Sequence, residues 1–273
     1  MRIAVIGHVE HVTVARVAAL PAPGDILHLD APVTVAAGGG GIAFWQLARS
    51  PAEVLLFTAL GNDDAARFVD SKLAGSGARV HAARRDEPHT RDIVLITPDG
   101  ERTIIVAGEP LHPRRDDPLP WDELAACDAA YFTGQDPDTL RAAHAARLLV
   151  VTARRSPALA RSGVRADVVV GSAVDPRERG RLADYTVPPA ALVLTDGASG
   201  GAIETAAGIE RFSAPATTQP VVGAYGAGDS FAAALTWYVA RGLPLREACE
   251  RAGAHGAAVL RGIDPVAWQL PLE

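Results

Sequence analysis

Short runs of β-branched and apolar residues alternate along this chain with Ala-rich stretches of helical composition. That alternation restricts the fold more than any other feature. The strand candidates are Ile3–Ile6, Val54–Thr58, Ala129–Phe132, Leu148–Thr152, Val168–Val170 and Leu192–Thr195. The helix candidates are Ile42–Ala48, Asp63–Leu73, Pro137–Ala146, Phe231–Arg241 and Leu245–Arg261. Strands this apolar are covered on both faces, and strands separated by helices run parallel. The expected class is therefore α/β, a mostly parallel central sheet with helices on both faces. Ligands of such sheets bind beyond the C-terminal ends of the strands. The residues that follow each strand are thus the first places to look for function.

Two regions break the alternation. Asp25–Val35 and Asp92–Val106 have strand-like alternation, and Pro98-Asp99-Gly100 reads as a hairpin turn. They predict a small β-sheet projecting from the main one. The Pro-rich segment Glu109–Pro120 reads as an ordered loop returning from that sheet, and the length suits one large domain or two smaller ones.

Composition removes several function classes. The net charge of −6 comes with no basic block, and aromatics are only 5%. Neither suits nucleic acid as a partner. No apolar run is long enough to span a membrane, and Arg2–Gly7 reads as a strand rather than a signal peptide. Cys127 and Cys249 lie in apolar surroundings without a CxxC, which fits a reduced, cytoplasmic setting. The only lysine, Lys72, is far from every Gly-rich loop, so there is no Walker-type phosphate loop.

Near the C-terminus the chain reads Gly223-Ala224-Tyr225-Gly226-Ala227-Gly228-Asp229-Ser230-Phe231 and continues into an Ala-rich helical run. Gly226, Ala227 and Gly228 leave the backbone bare at a helix N-terminus, where free N–H groups and the helix dipole make an anion site. Asp229 stands beside it. A carboxylate is a poor phosphate ligand but a good proton acceptor for a hydroxyl that attacks a phosphate. The competing reading is a tight turn capped by Asp229.

Other glycines and carboxylates fall at strand ends. Gly38, Gly39, Gly40 and Gly41 precede a helical stretch, where they cost backbone entropy. Either a ligand or another backbone must approach closely. Gly7-His8-Val9-Glu10-His11 follows the first strand, and its two histidines and Glu10 find no further ligand at metal spacing. Asp136 is either a hydroxyl acceptor or the cap of the helix starting at Pro137. Gly61-Asn62-Asp63-Asp64 reads as a turn and helix cap.

The segment Gly226-Ala227-Gly228-Asp229-Ser230-Phe231 resembles the C-terminal signature of the ribokinase-like (PfkB) carbohydrate kinases. Thr195-Asp196-Gly197-Ala198-Ser199-Gly200, about thirty residues earlier, is similar to that family's Thr-x-Gly-x-x-Gly nucleotide loop, though alone it is also a hairpin sequence. The resemblance runs from Arg2 to about Pro271. It implies ATP and Mg2+ as cofactors and a small sugar or sugar-like acceptor. It also implies Asp229 as general base, the 226–228 amides as anion hole, and a single domain spanning 1–273 whose β lid, contributed by about 12–35 and 88–108, often pairs two copies. Thr195, Gly197 and Gly200 would contact nucleotide. Ser172 and Asp175 keep the spacing of the family's Asn-x-x-Glu. Asp175 is then a water-bridged partner of magnesium, or a cap before Pro176. His255 lies where the family borders adenine, or is a plain core or surface histidine.

On the acceptor side the signature departs. Glu10 stands where the family has an Asn, and Val12 where it has an Asp; the Asn after its Gly-Gly pair is replaced by Ala43 or Phe44. Gly38, Gly39, Gly40, Glu10 and Asp136 are the remaining acceptor candidates. The family's Asp-Thr-Thr ahead of GAGD is here Gly223, Ala224 and Tyr225. Loss of that Asp implies little potassium activation. The expected activity is ATP-dependent phosphoryl transfer to a hydroxyl of a small sugar-like molecule. A nucleoside kinase of the same fold and a catalytically weak binding homologue are the alternatives. A dinucleotide oxidoreductase is disfavoured because only Gly7 marks the first strand–helix turn.

Overall fold

The computed structural model describes residues 1–216 and 219–273. A nine-stranded sheet forms the body. Its strands are β1 (Arg2–Ile6), β4 (Glu53–Leu60), β5 (Arg79–Arg84), β8 (Ala129–Phe132), β9 (Leu149–Thr152), β10 (Val168–Ser172), β11 (Ala191–Thr195), β12 (Gly201–Thr205) and β13 (Gly208–Phe212). Their order is β13-β12-β11-β10-β9-β8-β1-β4-β5. All pairings are parallel except those of β12 with β11 and with β13.

Parity explains the two-sided core. In β1, Ile3 and Val5 face one side while Ala4 and Ile6 face the other, and all four are fully buried. The first face packs against α1 (Gly38–Leu47), α2 (Asp64–Ala74), α5 (Ala227–Ala240) and α6 (Leu245–Val259). The second is covered by α3 (Pro137–Ala143), α4 (Ser156–Ser162) and the turn at Trp121–Ala126. Burial on both faces is why these strands read as continuous apolar runs.

The sheet expected as a lid is a separate four-stranded one ordered β3-β2-β6-β7, from β2 (Glu10–Arg16), β3 (Val33–Ala37), β6 (Arg91–Ile96) and β7 (Arg102–Ala107). Val12, Val14, Val35, Val94 and Ile96 form its core with Ile42 and Tyr225 from the body. The Pro98-Asp99-Gly100 turn joins β6 and β7, and Gly100 takes a φ of 82°. The strand expected over Asp25–Val35 is a correction: residues 25–32 carry no strand, and pairing begins at Val33. The strand that fills the lid is β2, whose alternation lay hidden beside the His8–Glu10 segment. The β12–β13 hairpin, β5 and α4 are further elements that propensity did not mark. No described helix is long and apolar enough to cross a membrane.

A second correction concerns α1. It begins at Gly38, not Ile42, so the four glycines make up its first turn. Tertiary contact overrides their poor propensity. A Cβ on Gly40 would lie 2.5 Å from the His8 carbonyl oxygen, and one on Gly41 3.1 Å from Val9. The helix is pressed against the chain leaving β1, and only glycine fits.

Candidate active site

The parallel strands β1, β8, β9, β10 and β11 end at one edge of the sheet, and the residues that follow them meet there. His8 and Glu10 follow β1, Thr133 follows β8, Arg154 and Arg155 follow β9, Glu178 follows β10, and Gly197 follows β11. The N-termini of α1 and α5 point into the same space.

Asp229 lies in the first turn of α5. The first helical bond runs from the Ser230 N–H to the Gly226 carbonyl at 3.0 Å, so the amides of Ala227, Gly228 and Asp229 lie ahead of it. Gly226 turns the chain into the helix at a φ of 84°, and a Cβ there would lie 2.6 Å from Pro265. Gly228 is different: a Cβ there meets nothing within 4 Å. Asp229 reaches toward α1, its Oδ1 3.2 Å from where a Gly39 Cβ would sit, with Thr133 Oγ1 3.3 Å from that same point. Asp229 keeps some surface open to the cleft. Yet burial, followed by the charge of Glu178, pushes its pKa up to about 7, against the pull of Arg154, Arg102 and Arg155. A carboxylate poised there accepts a proton near neutrality.

Around it stands a buried polar group. The Gly39 N–H donates to His8 Nε2 at 3.2 Å, so that nitrogen is unprotonated. Burial holds the His8 pKa down to about 3. His8 Nε2 lies 3.7 Å from Glu10 Oε1. Glu10 and Asp92 are both buried, and burial together with each other's charge raises the Glu10 pKa well above the usual range. Burial raises Asp92 as well. Two buried carboxyls this close disfavour carrying two charges at once. The Tyr225 hydroxyl accepts from the Gly38 N–H at 3.3 Å and closes this corner. Val12 is fully buried in the lid core.

The other expected residues are less uniform. Gly38 has a φ of 79°, and its missing Cβ leaves room for Glu10 Oε2. Asp136 caps α3, accepting from the Thr139 N–H at 2.9 Å and its hydroxyl at 2.7 Å, and also from the Arg115 N–H at 3.0 Å. Its capping role is thereby explained without a ligand. Asp63 likewise caps α2 through the Ala66 N–H at 3.0 Å. Asp175 is held by Arg177 and Arg154, which keep its pKa down to about 2. Ser172 turns its hydroxyl to the Val174 N–H at 3.3 Å. Thr195 donates to the Gly171 carbonyl at 3.2 Å, and the loop behind it is indeed the β11–β12 hairpin. Gly200 is needed for packing, since a Cβ would strike the Phe212 carbonyl, whereas Gly197 faces open space at a φ of 51°. His255 is 3% exposed and bonds the Tyr238 hydroxyl at 3.1 Å, which places its ring in the core between α5 and α6.

Three site residues had no counterpart among the expected ones. Glu178 binds Arg154 at 2.6 Å, accepts from the Ser172 N–H at 3.0 Å, and is the carboxylate whose charge bears most on Asp229. Arg154 leans toward β10, to Asp175 and Glu178. Arg155 leans the other way, donating to the Thr133 carbonyl at 2.9 Å. Two arginines directly after an apolar strand were the available signal.

Among the described residues no group of three or more His, Cys, Asp or Glu is arranged to hold a metal ion. Glu178 and Asp175 are the oxygen donors at the β10 end, and Arg154 already engages both. Such carboxylates fit a magnesium ion that keeps its own water between itself and the protein.

Comparison with known proteins follows this geometry. The model of the pfkB family carbohydrate kinases matches residues 1–162 and 181–266. No curated protein matches the sequence. Among solved structures, an adenosine kinase from Sinorhizobium meliloti superposes with a TM-score of 0.80 at 19% identity, covering 99% of this chain and 96% of that one. A ribokinase from Giardia lamblia gives 0.78 at 12% identity, with 99% and 96% covered. A ribokinase from Cryptococcus neoformans in complex with ADP gives 0.71 at 16% identity, with 97% and 96% covered. At these identities the likeness is one of fold.

Proposed function

Because this chain belongs to the pfkB family of carbohydrate kinases, we propose that it transfers the γ-phosphoryl group of ATP to a hydroxyl of a small sugar-like acceptor bound under the lid. One observation carries this reading: Asp229, with a pKa near 7, sits beside three free amides at the N-terminus of α5 and faces the polar corner around His8, Gly39 and Thr133. Asp229 takes the hydroxyl proton as the oxygen attacks the γ-phosphorus. The bond to the β-phosphate breaks, and ADP leaves. The amides of Ala227 and Gly228 meet the charge on the transferred group. A magnesium ion bound with the nucleotide would neutralise phosphate charge, and Glu178 and Asp175 would hold it through its water. The open glycine Gly197 leaves room for nucleotide at the β11 end, and the ADP complex of one fold relative supports that use. Closure of the lid over the acceptor would exclude water, which otherwise competes as phosphoryl acceptor. A screen of ADP release over sugars, sugar acids and nucleosides tests the reading. At least one class should raise the rate well above the acceptor-free value, and a uniformly unresponsive rate would refute it.

Potassium should not activate the enzyme. The carboxylate that the resemblance leads one to expect ahead of the anion hole is absent, because Gly223 stands there. A Cβ at Gly223 would lie 2.7 Å from Ile96 of the lid, so that space is filled by an apolar side chain. Initial rates in potassium and in tetramethylammonium at matched ionic strength should agree. Strong activation by potassium would mean that carbonyl oxygens alone complete a site.

The lid also bears on assembly. Strand β7 is an edge strand, and its consecutive Ile104, Ile105 and Val106 are 44%, 49% and 48% exposed. Such an edge invites pairing, and we read it as the face through which two copies join. Sedimentation should show a dimer that Ile105→Lys converts to monomer. A wild-type monomer at all concentrations would remove this reading.

A further inference from the structure

A cavity of about 1020 Å3 opens between the lid root and the ends of β8 and β9. That is ample for a small metabolite with substituents. Its lining is unusual in charge. Six arginines contribute: Arg85, Arg91, Arg114, Arg154, Arg155 and Arg161. Only Glu87, Glu109 and Asp136 oppose them as acidic lining residues, and Asp136 is spent on its cap.

Three of the arginines are neutralised within the protein. Arg85 makes a two-pronged pair with Asp117 at 2.6 and 2.8 Å, Arg91 pairs with Asp63 at 2.6 Å, and Arg154 with Glu178 and Asp175. The other three have no carboxylate in ion-pairing reach among the described residues. Arg161 donates only to the Gln135 carbonyl at 3.4 Å. Arg114 makes no side-chain bond. Arg155 is the telling case. Its guanidinium is largely withdrawn from water, yet its partners are the Thr133 carbonyl and, at 3.5 Å, His112. Both are neutral, since burial drives the His112 pKa far below its usual value. A buried cation with no carboxylate bonded to it is costly, since the charges of Glu10 and Asp229 reach Arg155 only from a distance. Burial and Arg154 lower the proton affinity of Arg155, and Tyr131, Glu10 and Asp229 offset this only in part.

The cavity lies on the acceptor side. Its lining includes the lid root at Arg91 and the returning segment Ala107–His112 but none of the 195–200 hairpin or the 223–228 turn; Gly39, Thr133 and Asp229 do not line it either, and Arg155 is the link to them. Arg155 is fixed to Thr133, the residue whose hydroxyl lies beside Gly39 and Asp229. An acceptor reaching Asp229 with its hydroxyl would thus extend its far end toward Arg155, Arg161 and Arg114.

We propose that the acceptor carries an anionic group, a carboxylate or a phosphate ester, which Arg155 holds within this cavity with Arg161 and Arg114 at its rim. Planar guanidinium groups suit both oxyanions. This rests on the kinase reading above and adds the acceptor's charge class to it.

The test compares acceptors matched in skeleton: glucose with gluconate, and fructose with fructose 6-phosphate, with adenosine as a further neutral arm, each followed by ADP release. An anionic member should exceed its neutral parent in kcat/KM by about 10-fold or more, the worth of one charge-assisted hydrogen bond. The arm that responds says which oxyanion is held. Arg155→Gln should raise KM for that acceptor by a similar factor while KM for ATP stays nearly constant, and Arg155→Lys should restore part of the loss. If Arg155→Gln does not fold, the exposed-site variants Arg161→Gln and Arg114→Gln should raise the same KM to a smaller extent. Best turnover of a neutral sugar or adenosine would overturn the anionic acceptor and leave the kinase reading standing. A rise in KM for ATP equal to that for the acceptor would assign Arg155 to the nucleotide and overturn it too. Should no acceptor be turned over, calorimetry with gluconate and fructose 6-phosphate in the absence of nucleotide decides. Binding that Arg155→Gln abolishes supports the proposal, and no binding of either ends it.

Discussion

Replacing Asp229 by Asn should lower turnover by ~10²–10⁴-fold, the usual cost of losing a general base, while nucleotide affinity stays close to wild type. The pH profile should carry the same signature. Asp229 has a pKa of about 7, so the rate should climb through neutrality as the carboxyl loses its proton. Glu178 is the largest charge contribution to that elevation, so Glu178→Gln should move the rising limb to lower pH. Stability should respond in the opposite sense. Because the folded state raises this pKa above its ordinary value of 3.8, the group favours folding at low pH, and its contribution is lost as pH rises through about 7. Above that point the buried charge is a cost, which Asn removes. At pH 8 the variant should therefore melt higher than wild type, by roughly 2–4 °C for each kcal/mol relieved. A variant with near-normal turnover, or one that melts lower at pH 8, would show that Asp229 is a structural cap.

The second large effect is expected at Gly228. Gly226→Val is a poor probe of the anion site, since the φ of 84° and the contact with Pro265 make any side chain disruptive there. Gly228 has helical backbone and open space, so Gly228→Val should fold with only a small propensity cost. Its isopropyl group would stand where the transferred phosphoryl must approach the amides. Loss of access to such a donor should lower kcat by ~10²–10³-fold. ADP affinity, which does not depend on that group, should change far less. Circular dichroism reports the fold, and turnover within a few-fold of wild type would remove the anion hole from this turn.

The contrast between these two glycines shows what was legible in the sequence. Gly226 through Asp229 is a local motif, and its chemistry follows from four consecutive residues and the helix after them. The central strands were legible for a related reason: burial on both faces leaves an uninterrupted apolar run that needs no knowledge of its neighbours. Long-range contact is what the sequence concealed. Gly38–Gly41 look like a loop because glycine weakens helices, and only the His8 backbone pressed against Gly40 explains a helix there. Arg154 and Arg155 are adjacent, yet one turns toward β10 and the other toward β8, a divergence set by the strand order. Glu178 gains its influence on Asp229 across about fifty residues of chain, with no local pattern to announce it. His255 was placed on the right helix, but which way its ring turns depends on Tyr238. On the acceptor side, Glu10 reads differently once Asp92 is beside it. A lone carboxylate on a strand end becomes half of a buried carboxyl pair, with its pKa raised by burial and by Asp92.

The most direct test of the account follows the phosphorus itself. Wild-type enzyme and Asp229→Asn are incubated with ATP, magnesium and the acceptor panel, and the products are read by phosphorus nuclear magnetic resonance. The account predicts a phosphomonoester resonance that grows in step with ADP for wild type and is nearly absent for the variant. ADP accompanied only by inorganic phosphate, or the same phosphomonoester formed at comparable rate by Asp229→Asn, would contradict it.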